Sequence, residues 1–304
     1  MQVIKTIIHE TLWGGRRLAG YAGTGGCAAG CRIGHLYSLI SNGEFESEIM
    51  AGPGSGGLFR DYFTASRQRL GLGHCARLPF VLALVDASDD LSLQVHPDDE
   101  AARELEGLTQ GKHEAWYFLE APAGGWIYSG CRAADREELA RGIEEGRVPE
   151  LLGRLEVGCG DYVYVEAGTL HALTAGSLVY EIEENCSATY RIYDFGRTDA
   201  SGRPRTLHIA SALRALHHGQ QSRVRHYGAG EIRERGFATQ LLHGGLHRNA
   251  TPSLECLTFL SGTAECCGCL VQPGNTVVLE PGECLECGEC KVMAARPVLP
   301  GRAP

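Results

Sequence analysis

Apolar positions along the chain fall into two rhythms. In LSLQVH (91–96), Leu91, Leu93 and Val95 alternate with Ser92, Gln94 and His96. This period of two predicts a strand with Gln94 and His96 on the face opposite the aliphatics. FVLALVDAS (80–88) is apolar almost without interruption and reads as a buried strand, while the aromatic-rich EAWYFLEA (114–121) reads as another. GDYVYVEAGTLHAL and SLVYEIEE return to strands. Helical spacing is expected within 53–73 between glycine-rich ends, and after Pro97, where Asp98 and Asp99 suit a helix start. Residues 134–155 predict one helix and a second after Pro149. In TLHIASALRALHHG (206–219), Leu207, Ala210, Leu213 and Leu216 would share one helical side, a bridge between two β-rich regions. From about 224 onward, short strands alternate with PG and GE turns.

The pattern is mainly β with helices, in a chain of 304 residues, long enough for one large or two modest domains. The formal net charge of −9, with no long basic run, argues against nucleic acid and anionic membrane partners. No apolar run approaches a membrane span, and the N-terminal stretch lacks the apolar region of a signal peptide. Thirteen cysteines, an odd number in a chain of this length, read as reduced thiols of a cytoplasmic protein rather than a disulfide framework.

Gln94 and His96 gain meaning from Glu114, just after Gly111-Lys112-His113, and from His171 after a glycine turn. One amide oxygen, two imidazoles and one carboxylate make a ligand set of nitrogen and oxygen only. Such a set suits a zinc ion with an open position for water or substrate. Iron or manganese would fit the same donors.

The wording QVHPDDE, GKHEAWYFL, GDYVYVEAGTLHAL and EENCSATYRIYDFGR resembles the class I, cupin-type mannose-6-phosphate isomerases in their short bacterial form. The likeness extends from Trp13-Gly14-Gly15 through the TLHIASAL segment. It implies a jelly-roll-like cupin catalytic domain with helical insertions over 1–220. A smaller, metal-free cupin-like β domain would follow over 221–304. It implies one zinc ion per chain bound by Gln94, His96, Glu114 and His171, and a sugar phosphate as the small-molecule partner. Mannose 6-phosphate and fructose 6-phosphate would interconvert through an enediol. Lys112 and Arg191 match the family's active-site lysine and arginine, and Glu181 matches an acidic residue near the substrate. Glu181 and a zinc-bound water remain rival bases.

Three positions depart from the resemblance. His35 stands where the family has an acidic residue, Ala83 where it has a strand lysine, and Ser187 where it has an aspartate. The metal set is therefore intact while the substrate set is altered. Arg60 or Arg197 would have to compensate for a lost phosphate contact. The alternatives are an isomerase of another, unphosphorylated sugar, and a non-catalytic metal-holding sugar binder. Cys284, Cys287 and Cys290, with Cys266 or Cys269, have metal-like spacing, but cysteine also serves as a small apolar residue in such strand–turn–strand patterns.

Overall fold

Strand alternation and glycine-marked turns dominate the computed structural model, which describes residues 1–21, 30–199 and 201–298. The chain forms two compact units. One comprises 1–9, 17–84 and 228–304, the other 10–16 and 85–227. These are not the contiguous blocks 1–220 and 221–304 expected from the sequence. The first 84 residues fall almost entirely in the unit that also holds the C-terminal strands.

Pairing explains the difference. In the first unit the antiparallel sheet runs in the order Glu231–Arg233, Phe237–His243, Lys291–Pro297, Glu255–Ser261, Thr276–Leu279, Gln2–Ile4, Ile49–Ala51. Val3 lies opposite Val277 and is buried in one cluster with Leu257, Phe259, Leu279 and Val292. The N-terminal strand therefore completes a core made mostly by residues some 250 positions later in sequence, with Ala51 alongside, a partnership no local pattern announces.

The second unit layers two groups of strands. One contains, in hydrogen-bonded order, Arg223–His226, Asp161–Val165, Glu114–Glu120 and Leu178–Glu184. The other runs Tyr190–Tyr193, Leu93–Val95, Leu170–Ala172, Trp126–Cys131, Leu152–Glu156. Trp116, Tyr162, Phe118 and Tyr180 are fully buried here.

Helices are shorter than the spacing predicts. The first, α1, is confined to Phe59–Ser66, since the glycines before it form turns. Asp99–Glu106 forms α2, with Asp98 as its cap, accepting from the Ala101 amide at 2.8 Å. Arg136–Glu144 forms α3. The second helix expected after Pro149 is a single 3-10 turn, Val148–Leu151, because the following residues, Leu152–Glu156, pair with Trp126–Cys131 as a strand. Within 206–219 only Ile209–Ala215 is helical (α4), packing on the Tyr190–Tyr193 strand inside the second unit. Its buried side is Ala212, Ala215 and Leu216, while Leu207 is exposed, so the expected stripe is displaced. Among the described residues no helix is long and apolar enough to cross a membrane, and twelve cysteines are free thiols.

Truncating Val3 to Ala removes two buried methyl groups from the core it shares with the C-terminal strands. It should cost about 2 kcal/mol, read as a lowered urea midpoint; an unchanged midpoint would contradict the placement of this strand.

Candidate metal centre

Gln94 and His96 come from a strand that ends against Pro97. A residue before proline is held extended, so His96 keeps the strand alternation and stays on the face of Gln94. In register, Gln94 lies opposite His171 on one side and opposite Arg191 on the other. Directly opposed residues share a face, so His171, Gln94 and Arg191 form one row across this sheet. In the other sheet Glu114 lies opposite Glu183, and Trp116 opposite Glu181. Period two places all four on one face.

The loop before Glu114 is pinned. Lys112 N donates to the Pro97 carbonyl at 2.9 Å, and Gly111 N donates to Asp99 Oδ1 at 2.8 Å. A Cβ on Gly111 would stand 2.5 Å from Pro97 O, so only glycine allows this approach.

The two faces meet at short range. His96 Nε2 is 3.1 Å from Glu114 Oε2, and His171 Nε2 is 3.1 Å from Glu114 Oε1. Each ring's other nitrogen is already engaged: His96 Nδ1 at 3.3 Å from Ala188 O, and His171 Nδ1 at 2.9 Å from Thr169 O. Carbonyl oxygens only accept, so each Nδ1 is placed to donate, and in that neutral tautomer Nε2 would present its lone pair. Burial, then the Lys112 charge, depresses the His96 pKa to about 4, so the ring is neutral at neutral pH. Among the described residues neither His96 Nε2 nor Glu114 Oε1 has a hydrogen-bond partner, although both are buried. Gln94 Nε2 is 3.4 Å from His171 Nε2; a half-turn of the amide would offer its oxygen instead, the two orientations being distinguished only by surroundings.

Lone pairs facing a carboxylate at this range repel unless a cation lies among them. Two ligands bound to one ion at about 2.0–2.2 Å stand about 3 Å apart, which is the spacing seen. The residues fit a divalent metal ion, and the carbonyls behind the histidines are the usual orienting partners of such ligands.

Around this set lie the other sequence candidates. Lys112 pairs closely with Glu183 and stands 3.9 Å from Glu114 Oε2. Burial alone would lower the Lys112 ammonium, but Glu183, Glu114 and Glu181 outweigh it and hold it above its ordinary range. Glu181 is buried and accepts from Trp116 Nε1 at 2.9 Å. Burial first, then Glu183 and Glu114, pushes its carboxyl well above the usual carboxylate range. Arg191 Nη1 donates to Thr206 O at 2.8 Å, while its buried Nε has no hydrogen-bond partner.

Two participants escaped sequence reasoning: Glu183, the closest partner of Lys112, and Trp116, which fixes Glu181. The alternation in SLVYEIEE and EAWYF was a sufficient signal for both. Of the departures, Ser187 is exposed, Ala83 is buried, and His35 stacks on His9 and Tyr37. The nominated compensating arginines both have carboxylate neighbours, Arg60 with Glu46 and Asp61 and Arg197 with Asp194.

Fold and site together define a cupin-type β protein with a buried His/Glu/His cluster that could hold a metal ion. No family model matches the chain. It is 36% identical over 216 residues to a probable mannose-6-phosphate isomerase of Bacillus subtilis, covering 70% of this chain and 67% of that protein. The chain belongs to the mannose-6-phosphate isomerase family. The crystal structure of the mannose 6-phosphate isomerase from Bacillus subtilis superposes with a TM-score of 0.84 at 26% identity, over 97% of this chain and 99% of that one. A zinc-bound mannose 6-phosphate isomerase shares the fold, with a TM-score of 0.70 at 14% identity over 98% and 99% of the two chains.

Gly111→Ala should destabilise the protein by about 1–3 kcal/mol through overpacking against Pro97 and Asp98, seen as a lower Tm. Acid should weaken the fold through Asp194. Burial raises its carboxyl, but hydrogen bonds from Arg205 and Arg197 outweigh this and hold it below the ordinary value. Its stabilisation is therefore present at neutral pH and lost as pH falls below about 4. Asp194→Asn should flatten that part of the stability–pH curve; an unaltered acid limb would refute the pairing.

Proposed function

We propose that the chain interconverts mannose 6-phosphate and fructose 6-phosphate, with one zinc ion held by Gln94, His96, Glu114 and His171. The observation that carries this reading is the meeting of two imidazole lone pairs and a carboxylate at 3.1 Å. Bound there, zinc would act as a Lewis acid toward the sugar's reacting oxygens.

The residues around it suit the proton movement the reaction needs. An aldose becomes a ketose when the C2 proton leaves, an enediol forms, and a proton returns to C1. Glu181, with its raised pKa, is suited to take and return that proton. Arg191, in the same row as Gln94 and His171, supplies positive charge toward the oxygens that become negative in the enediol. Lys112 positions and balances the carboxylates, and Trp116 holds Glu181 in place.

A second reading keeps the isomerase class and changes the sugar. Lys112 is already bound to carboxylates, and Ala83 offers no cation. A panel of free and phosphorylated aldoses separates the two. Comparable kcat/KM for mannose and mannose 6-phosphate would select the second.

Chelation should abolish turnover, and one equivalent of zinc should restore it. Zinc-loaded protein inactive toward mannose 6-phosphate would remove the specific assignment. Glu181→Gln should lower kcat by about 10²–10⁴ with little change in bound zinc. Arg191→Ala should lower kcat/KM by about 10² or more. Full activity in either variant would remove that residue from the mechanism.

A further inference from the structure

Away from the isomerase site, three sulfur atoms gather in the first compact unit. Cys266 Sγ is 3.6 Å from Cys267 Sγ and 3.9 Å from Met1 Sδ. We propose that Met1, Cys266 and Cys267 bind a soft monovalent cation of the Cu(I) class.

Cys266 alone has an ordinary explanation, since it is buried in the cluster containing Val3, Val271 and Leu285. Cys267 does not. It is exposed and forms, with Gly268, the two-residue turn between Ala264–Cys266 and Cys269–Val271. Its φ is 52° and that of Gly268 is 77°. Such a turn favours Asn-Gly or Asp-Gly, whose first residue tolerates the left-handed region. A cysteine there is poorly suited to the backbone, and its side chain points to a role.

The ligand chemistry is selective. Two thiols and one thioether, with no nitrogen or carboxylate among them, form a soft donor set that favours Cu(I) over hard cations. At metal–sulfur bonds of about 2.3 Å, three ligands around one ion in a plane stand about 4 Å apart, close to the two separations from Cys266, while Cys267 Sγ reaches Met1 through its carbonyl at 3.7 Å. Binding would displace the thiol protons to solvent, leaving two thiolates and one thioether on the cation. The third thiol of the hairpin, Cys269, donates to the Cys266 carbonyl at 3.2 Å and stands outside the trio.

The test uses the full chain, reduced and without oxygen, titrated with Cu(I) against a competing chelator. One tight equivalent is expected, with sulfur-to-copper absorption in the ultraviolet. Cys267→Asn places the preferred residue in the turn, so Tm should hold or rise while Cu(I) affinity falls at least tenfold. Cys159→Ser and Cys284→Ser, at exposed thiols elsewhere, should leave affinity unchanged. Wild-type affinity in Cys267→Asn, an equal loss in either control, or displacement of Cu(I) by equimolar Zn²⁺ would overturn the proposal.

Discussion

The second unit brings two imidazoles and a carboxylate together at 3.1 Å, a buried set whose mutual repulsion a bound cation would relieve. Two imidazoles, each with Nδ1 against a backbone carbonyl, bring their Nε2 atoms to 3.1 Å from one carboxylate. Burying such a set costs several kcal/mol in unmet polar interactions. The backbone nevertheless holds it firmly, through Pro97 after His96, the Gly111 contact with the Pro97–Asp98 turn, and the carbonyls of Ala188 and Thr169. A fold that fixes such a set so tightly is suited to a bound cation, whose binding would return the cost.

Charge balance leads to the same conclusion by a separate route. Glu114, Glu181 and Glu183 offer oxygens within 4.8 Å of one another. One buried ammonium, Lys112, stands among them. Three carboxylates and one ammonium sum to two negative charges, which a single divalent cation neutralises. Burial first, and then the neighbouring carboxylates, hold the Glu181 and Glu183 carboxyls above their ordinary range despite Lys112. Binding of a cation there would therefore be coupled to carboxylate protonation, with Glu181 acting as part of the cluster.

Much of this was legible in the chain because it depends on local period. The alternation of LSLQVH put Gln94 and His96 together, and His96-Pro97 stopped the strand where His96 faces Glu114. What stayed hidden depends on register between distant segments. Nothing in QVI near the N-terminus says that it pairs with TVVL at 276–279, so a contiguous domain boundary was the natural expectation. Nothing in TLHIASAL distinguishes Leu207 from Ala212 until the Tyr190–Tyr193 strand chooses which side is covered. The cysteines show the same limit. Spacing alone suggested a knuckle, whereas Cys287 and Cys290 are buried in an apolar core and behave as small hydrophobes.

Substrate choice then turns on which cation remains uncommitted. Lys112 is held between carboxylates, and Arg197 and Arg205 both bind Asp194. Arg191 is different. Its acidic neighbour Asp194 is already bound by Arg197 and Arg205, its Nη1 donates to the Thr206 carbonyl, and among the described residues its Nε has no hydrogen-bond partner. Burial, Arg205 and Arg197 all bear against its charge, so an incoming anion relieves the guanidinium more than it would an exposed arginine. The sheet places that unsatisfied charge in line with Gln94 and His171. The position suits charge developing on the sugar oxygens near the metal centre, and recognition of a distant phosphate would fall to groups other than Lys112.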